Sequence, residues 1–290
     1  MSVLVGVVSK NRRSILPKAI DSALAQKWEK LSVHVFDDNS SDDTANLKGV
    51  YKTVSWEFSK TNKGYLFARN KFMQEPQFDY FCSLDDDSWF LDSTSLEAAI
   101  MYLDDHSDVA AIAFDILSPD KPLPSAIAEP IETNIFIGCG HVLRLSAVKE
   151  VGYYDVNPSF YGGEEQDLAI KLMDRGHRII FMPGIHVWHD KTVVARNLKL
   201  QHRSGVCNDF VFTYRRSPIL YLIPALGWKL FSHLRFAFRF KSEKLVEPCL
   251  KGIGDFFILL IQGRIARKPV KNATYSKFRG LNYLNQNNEY

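Results

Sequence analysis

Residues 31–43 read LSVHVFDDNSSDD, an apolar run of strand-forming residues that stops at acidic and polar ones. This pattern predicts a buried β-strand that ends in a turn. It returns at residues 78–88, which read FDYFCSLDDDS, and further strand-like and helix-like segments alternate over residues 1–115. This alternation predicts an α/β fold with a mostly parallel sheet flanked by helices.

Acidic side chains follow both of these strands. Asp37 and Asp38 come at the end of the first strand, and Asp85, Asp86 and Asp87 come at the end of the second. Because ligands of such sheets bind at the carboxyl ends of the strands, we expect the two clusters to lie near each other at one edge. Crowded carboxylates repel one another unless a cation compensates, and an oxygen-rich site suits Mg²⁺ or Mn²⁺. The alternative is an aspartate-rich turn held by local backbone bonds.

Two histidines lie near the end of a later predicted strand, in the segment HVWHD. His186 and His189 are three residues apart, so a regular strand places them on opposite faces and lets one of them point at a metal. The alternative is a structural histidine with an ordinary hydrogen-bond partner. The chain has no HExxH segment, which excludes the commonest zinc-protease motif.

Residues 160–168, FYGGEEQDL, place three acids at the start of a predicted helix, behind two glycines. Glu165 continues the apolar stripe of this helix, which aims its carboxylate at the interior or at a cleft. Glu164 and Asp167 fall on the polar face, and Asp167 is spaced to form a salt bridge with Lys171 one turn later. Glu165 is therefore the candidate active-site base, against the alternative of a capped, solvated helix start.

Charge is distributed unevenly along the chain. Residues 1–190 hold 18 Lys and Arg against 28 Asp and Glu, whereas residues 191–290 hold 18 against 5. The second part, with basic and aromatic residues mixed at helical spacing, predicts either core helices with a basic rim or helices that lie on an anionic membrane surface. Its basic residues alternate with apolar blocks, which argues against a nucleic-acid partner.

The cysteine pattern and the hydropathy favour a cytoplasmic protein. The four cysteines are far apart and form no CxxC pair, which suits a reducing compartment. No run approaches the ~18 to 20 apolar residues of a membrane-spanning helix. We therefore expect a cytoplasmic protein that is peripheral on the inner face of the cytoplasmic membrane.

Five segments occur in one order along the chain: VHVFDDNSSDDT, NKGYLFARN, LDDDS, GGEEQDLAIKLMDRG and PGIHVWHD. Together they resemble the motifs of the family 2 inverting glycosyltransferases, which have the GT-A fold. The resemblance covers roughly residues 1–195 and is weaker beyond them. It implies a metal-dependent enzyme that moves a sugar from a nucleotide-diphosphate donor, such as a UDP- or dTDP-sugar, to a hydroxyl group.

The resemblance also implies roles for particular residues. The nucleotide would be bound by Ser9, Asp37, Asp38, Arg69, Asp85 and Asp86. A Mn²⁺ or Mg²⁺ ion would be held by Asp87, Asp85 and His189. The catalytic base would be Glu165, with Asp167 as a nearby substitute. The family usually has Asp at the position of Glu165, so this side chain is one methylene longer than the usual base.

These implications extend to domain organisation and to the acceptor. Residues 1–115 would form the nucleotide-sugar-binding half of a GT-A domain, residues 116–195 its acceptor-binding half, and residues 196–290 a helical, membrane-associating region. The acceptor would be a glycan or a lipid-linked saccharide in cell-surface polysaccharide assembly. The alternatives are a nucleotidyltransferase or sugar-nucleotide synthase, and a non-catalytic, membrane-associated protein that binds sugar nucleotides.

Overall fold

The computed structural model describes residues 1–156, 158–159, 161–191, 197–239 and 245–281. These residues divide into two compact units. The first unit comprises residues 1–153 and 175–191, and the second comprises the described residues of 154–174 and 197–281. The three-part domain boundaries expected from the sequence stay a prediction.

The first unit contains a mixed sheet whose strands are joined in the order β3-β2-β1-β4-β8-β6-β9-β5, with β7 paired to β9. The strands are β1 (Val3–Ser9), β2 (Leu31–Asp37), β3 (Ser55–Phe58), β4 (Tyr80–Asp85), β5 (Ser88–Phe90), β6 (Val109–Leu117), β7 (Ile131–Thr133), β8 (Gly140–Arg144) and β9 (Arg178–His189). The strands β3, β2, β1 and β4 are mutually parallel, and β6 is parallel to β9. The antiparallel strand β8 joins these two groups. The expected α/β fold with a mostly parallel sheet and C-terminal helices is confirmed.

Helices cover the sheet of the first unit. They are α1 (Leu16–Leu24), α2 (Leu47–Val50), α3 (Tyr65–Met73), α4 (Ser95–Asp105) and α5 (Leu145–Val151). All nine residues of β6 are buried, as are six of the seven residues of β1. Strands covered on both faces need apolar side chains at nearly every position, which explains why the sequence shows continuous apolar runs here.

The second unit is helical in the part that the structure describes. Its helices are α6 (Glu164–Asp174), α7 (Leu198–Arg216), α8 (Ile219–Arg239), α9 (Val246–Ile261) and α10 (Asn272–Gly280). A separate apolar core joins α7, α8 and α9 around residues such as Phe210 and Phe256. Gly252 allows α9 to approach α7 closely, because a Cβ at this position would clash with the carbonyl oxygen of Arg203. Across the described ranges, none of the helices combines the length and apolar character needed to cross a bilayer.

Candidate active site

The carboxyl ends of β1, β2 and β4 bring the first group of candidate residues together. Ser9 pairs in register with Asp37 on β2, and Val8 pairs with Asp85 on β4. The chain leaves β2 with the amide of Asp38 donating to the carbonyl oxygen of Ser9, at 2.9 Å. Parallel alignment thus places the two predicted acidic clusters on the same edge of the sheet.

Asp37 and Asp38 are both buried but have different partners. Asp38 accepts hydrogen bonds from the backbone amides of Lys63 at 2.6 Å and Gly64 at 2.9 Å, immediately before α3. Asp37 accepts from the amide of Ser40 at 2.7 Å with Oδ1, while its buried Oδ2 has no partner among the described residues. Asp38 therefore fixes the loop that leads into α3, and Asp37 keeps one acceptor atom for another group.

Arg69 on α3 reaches the end of β4. Its guanidinium donates to the carboxylate of Asp85 at 2.7 Å and to the carbonyl oxygen of Gly138 at 3.0 Å. The Arg69 side chain is buried, and its guanidinium also lies 5.0 Å from the ring centre of Tyr65. This buried cation partly offsets the charge of the aspartates and holds Asp85 in a defined orientation.

The turn after β4 concentrates negative charge. The backbone amide of Asp85 donates a hydrogen bond to the Ser88 hydroxyl oxygen at 2.8 Å, which closes a turn that contains Asp86 and Asp87. Burial, followed by the charge of Asp87, raises the pKa of Asp86 to about 7. Positive charge brought close to this carboxyl group would favour its ionised form.

His189 joins this cluster from the end of β9. Its Nε2 lies 3.3 Å from Oδ1 of the buried Asp87, and His189 pairs in register with Ser88 on β5. Burial lowers the pKa of His189, but its interactions with Cys139 and Asp87 raise it by more, to about 10. His186 instead occupies the register position opposite Asp115 on β6. His189 is therefore the histidine that lies beside the aspartates after β4.

These side chains suit a divalent cation. Asp85 and Asp87 supply carboxylate oxygens, and His189 supplies an imidazole nitrogen whose proton a metal ion can replace. Three adjacent aspartates repel one another, and a bound divalent ion would relieve that repulsion.

The start of α6, in the second unit, is built on two glycines. Gly162 and Gly163 have φ values of 91° and 92°, a left-handed conformation that favours glycine. The side-chain amide of Asn208 on α7 donates to the carbonyl oxygens of Tyr161 at 3.0 Å and Gly162 at 2.9 Å. Glu165 then follows in the first turn of the helix and is half-buried.

The salt bridge predicted between Asp167 and Lys171 is wrong. Asp167 instead forms a buried, bidentate pair with Arg216 of α7, at 2.7 and 2.8 Å. Lys171 faces Asp155 at 3.7 Å, and Asp155 also accepts a hydrogen bond from Arg216 at 2.6 Å. The partner of Asp167 lies 49 residues away in the chain, where helical spacing carries no information.

The prediction that Glu164 lies on a solvated face is also wrong, because only 3% of this residue is exposed. Residues on almost every side of α6 are buried, since α7 and α10 pack against this helix within the second unit. The alternation of polar and apolar residues therefore predicted a solvent-exposed face that α6 does not have.

A family model for glycosyl transferase family 2 matches residues 4–151, just over half of the 290 residues. The chain belongs to glycosyl transferase family 2. The match contains β2 to β8 and all of β1 except its first residue, together with Ser9, Arg69 and the aspartates of both clusters. The family predicted from the sequence motifs is confirmed.

Curated relatives in this family include polysaccharide and lipid-linked saccharide enzymes. The chain is 26% identical over 202 residues to the poly-β-1,6-N-acetyl-D-glucosamine synthase of Staphylococcus aureus, covering 61% of this chain and 47% of that protein. It therefore spans about half the length of that relative. It is 19% identical over 252 residues to WfaP of Escherichia coli, a UDP-Glc:α-D-GlcNAc-diphosphoundecaprenol β-1,3-glucosyltransferase, covering 85% and 95%.

A similar solved structure is that of S. aureus TarS in complex with UDP-GlcNAc. The superposition has a TM-score of 0.67 at 16% identity and covers 88% of this chain and 80% of that one. This likeness establishes the fold, which is the GT-A fold of the glycosyltransferases.

Two residues of this family 2 protein were missed at the sequence level. Cys139 lies beside Asp85 and His189, and its only signal was its place between two glycines in the segment IGCGH. Arg216 belongs to the basic C-terminal part, where its charge was assigned to a membrane surface or a basic rim. Both residues depend on pairings that connect distant parts of the chain.

Proposed function

We propose that this chain is a metal-dependent, inverting glycosyltransferase that moves a sugar from a nucleotide-diphosphate donor to a hydroxyl group of a glycan or lipid-linked acceptor. The observation that carries this proposal is the polar edge of the sheet in the first unit. There, Asp85, Asp87 and His189 form a cation-attracting cluster next to the buried acceptor oxygen of Asp37. Membership of glycosyl transferase family 2 supports the same reaction class.

The nucleotide is bound along the ends of β1 and β2. Asp37 offers its unpartnered Oδ2 to a base N–H, while Asp38 keeps the loop before α3 in place. Ser9 and Arg69 line the same edge, and Asp86 follows the end of β4. A UDP-sugar is the proposed donor, because TarS was solved with UDP-GlcNAc and WfaP is named for UDP-Glc.

Asp87, Asp85 and His189 would hold a Mn²⁺ or Mg²⁺ ion. When bound, the ion supplies Lewis-acid stabilisation of the diphosphate that leaves the sugar. The chain contributes the arrangement of these ligands, because Ser88 fixes the turn and Arg69 orients Asp85. Losing the His189 proton leaves its ring nitrogen able to act as a ligand.

Glu165 serves as the general base. It accepts the proton of the acceptor hydroxyl as that oxygen attacks the anomeric carbon, and the bond to the diphosphate breaks on the opposite side. Asp167 is less suitable for this role, because Arg216 already engages both of its oxygens. Glu165 is half-buried in the first turn of α6, where the helix dipole stabilises a carboxylate.

The reaction test uses the full chain, freed of metal by a chelator, with a panel of UDP- and dTDP-sugars and saccharide acceptors. We expect sugar transfer or slow donor hydrolysis to release nucleoside diphosphate only after Mn²⁺ or Mg²⁺ is added. Release of pyrophosphate from a nucleoside triphosphate would instead identify a nucleotidyltransferase. Tight donor binding without turnover on any acceptor would identify a binding protein.

The second unit carries a candidate membrane surface, which we define as the outward faces of α8 and α9. Ile219, Leu220 and Ile223 are 73–74% exposed, and Phe231 is 54% exposed, with a spacing that places them on one side of α8. Exposed apolar side chains of α9 are Leu250, Phe257, Ile258 and Ile261. An outer face this rich in large apolar residues marks an interaction surface rather than an ordinary solvated helix.

The charges along α8 favour an anionic bilayer as the partner of this surface. Arg235 and Arg239 are exposed on α8, and the sequence has no acidic residue between Asp209 and Glu243. Apolar residues that enter the interface and basic residues that face the headgroups form the pattern of a helix lying on a membrane. A peripheral position on the cytoplasmic face would give such an enzyme access to lipid-linked acceptors.

Vesicle sedimentation tests this surface. The full chain should pellet with vesicles containing anionic phosphatidylglycerol, and the variant Ile223→Glu/Phe231→Glu should remain in the supernatant. A matched control, Leu123→Glu, changes an exposed apolar residue of the first unit and should still pellet. Equal binding of all three proteins would contradict the proposal, as would self-association that buries the face of α8 and leaves no binding to lipid.

A further inference from the structure

Cys139 lies immediately before β8, at the centre of a tight turn. The carbonyl oxygen of Cys139 accepts a hydrogen bond from the hydroxyl of Ser88 at 3.0 Å, and the preceding carbonyl of Gly138 accepts one from Arg69. The amide of Gly140 closes the turn by donating to the carbonyl of Ile137 at 3.1 Å. The backbone of Cys139 is thus held on both sides by groups that also shape the acidic cluster.

The thiol group of Cys139 converges with two other ligand groups. A carboxylate oxygen of Asp85, Sγ of Cys139 and a ring nitrogen of His189 all lie within 4.8 Å of one another. Ligands around one tetrahedral ion with metal–ligand bonds of about 2.0–2.3 Å lie about 3.3–3.8 Å apart. Small side-chain movements would therefore bring these three atoms onto one ion.

With a sulfur and a nitrogen atom among them, these three groups are softer metal ligands than the carboxylate oxygens of the aspartates alone. Thiolate and imidazole ligands select ions such as Zn²⁺, Cd²⁺ and Co²⁺, whereas Mg²⁺ prefers carboxylate, carbonyl and water oxygens. Three protein ligands and one open position are also the usual composition of a zinc site that accepts an outside ligand.

We propose that Asp85, Cys139 and His189 form a thiolate-containing site for a soft divalent cation, with Zn²⁺ binding more tightly than Mg²⁺. Binding forms a metal–sulfur bond and a metal–nitrogen bond, and it releases the thiol proton of Cys139 and one ring proton of His189 to solvent. The inference rests on the proposed metal site, because Asp85 and His189 are common to both ligand sets. Zn²⁺ in this position competes with the Mn²⁺ or Mg²⁺ that the proposed transfer reaction uses.

The contrary interpretation treats Cys139 as a small apolar residue. Only 2% of Cys139 is exposed, and a buried free cysteine commonly packs as a small hydrophobic side chain. The two interpretations differ in one measurable respect, since a packing residue forms no bond between sulfur and metal.

Metal titration of the full, chelator-treated chain separates them. Adding Cd²⁺ or Co²⁺ should produce a sulfur-to-metal charge-transfer band, and competition should show that Zn²⁺ displaces either ion at concentrations where Mg²⁺ does not. Cys139→Ser should abolish the band and weaken Zn²⁺ binding by at least about tenfold. Cys207→Ser, a buried free cysteine of the second unit, is the matched control and should keep the band.

Thermal unfolding and a second ligand variant distinguish loss of the metal site from loss of the fold. Thermal unfolding of Cys139→Ser should show a folded protein, and His189→Gln should also lose the band, because the ring is a ligand. A band that survives Cys139→Ser, or no band in the unmodified chain, overturns the inference. Loss of sugar transfer with the band intact counts against the proposed function alone, and transfer without the band counts against this site alone.

Discussion

Asp85, Asp86 and Asp87 stand next to one another in the first unit, whereas Asp155 and Asp167 of the second unit share the guanidinium of Arg216. Burial and the charge of Asp87 raise the pKa of Asp86 to about 7. Burial alone would raise the pKa of Asp155, but the charges of Lys171 and Arg216 lower it below the usual range.

The opposite pKa shifts distinguish two uses of buried carboxylates. In the second unit Asp155 and Asp167 have Arg216 as a partner, and Asp209 has Lys229 at 2.9 Å and His233 at 3.0 Å. Such acids hold helices together. In the first unit three aspartates follow one another in a single turn, and the proposed metal ion would stabilise their charges. Acids that are close in sequence can belong to either group. The cations that surround them in the fold distinguish structural acids from the proposed ligand-binding ones.

Among the acids of the second unit, Glu165 should affect catalysis most. We expect Glu165→Gln to reduce sugar transfer by about 10²- to 10⁴-fold, because the amide cannot take the acceptor proton. Donor and metal binding should persist, since the change leaves the first unit untouched. Initial rates and donor calorimetry measure these quantities. Glu247→Gln, an exposed acid on α9, is the control and should retain full activity; unchanged turnover of Glu165→Gln would rule out this base.

Arg216 should dominate the stability of the second unit. Arg216→Met leaves Asp155 and Asp167 with too little compensating charge, so we expect the free energy of unfolding to fall by about 3–5 kcal/mol. The matched control is Arg203→Met on the same helix, which breaks the more exposed pair with Asp255 and should cost about 0–1 kcal/mol. Urea denaturation compares the two variants, and equal losses would contradict the structural role given to Arg216.

Long-range pairing explains what the sequence could and could not predict. Apolar runs that end in acids correctly placed Asp37, Asp38 and Asp85 at one edge, because parallel strands align their carboxyl ends. The role of Cys139 was hidden, since the antiparallel strand β8 enters between β4 and β6 and no local pattern encodes that insertion.

The helix α6 shows the same limit. Its start behind two glycines followed from local sequence, but the burial of Glu164 and the partner of Asp167 depend on α7. A two-faced helical pattern assumes that one side meets water, and this assumption fails when neighbouring helices cover both sides. Catalytic roles for Glu165 and Asp167 stay predictions.

Acidification should weaken the second unit through Asp155. Its folded-state pKa lies below its unfolded value, so its stabilising contribution is present above about pH 4 and is lost as pH falls through the folded-state pKa. Asp155→Asn should therefore lower the urea midpoint at pH 6 and lessen its decline towards pH 3. The control Asp120→Asn changes an exposed acid and should follow the unmodified chain. Parallel pH profiles for the chain and Asp155→Asn would show that Asp155 is not ionised more easily in the fold.

The contrast between ligand-seeking and structural acids is tested most directly by UDP calorimetry on the chelator-treated chain, with and without Mn²⁺. The account predicts that Mn²⁺ tightens UDP binding at least about tenfold, a free-energy difference of about 1.4 kcal/mol. Asp87→Asn should lose this gain, and Asp155→Asn should keep it at a temperature where both variants are folded. UDP binding that does not respond to Mn²⁺, or an equal loss in both variants, would contradict the account.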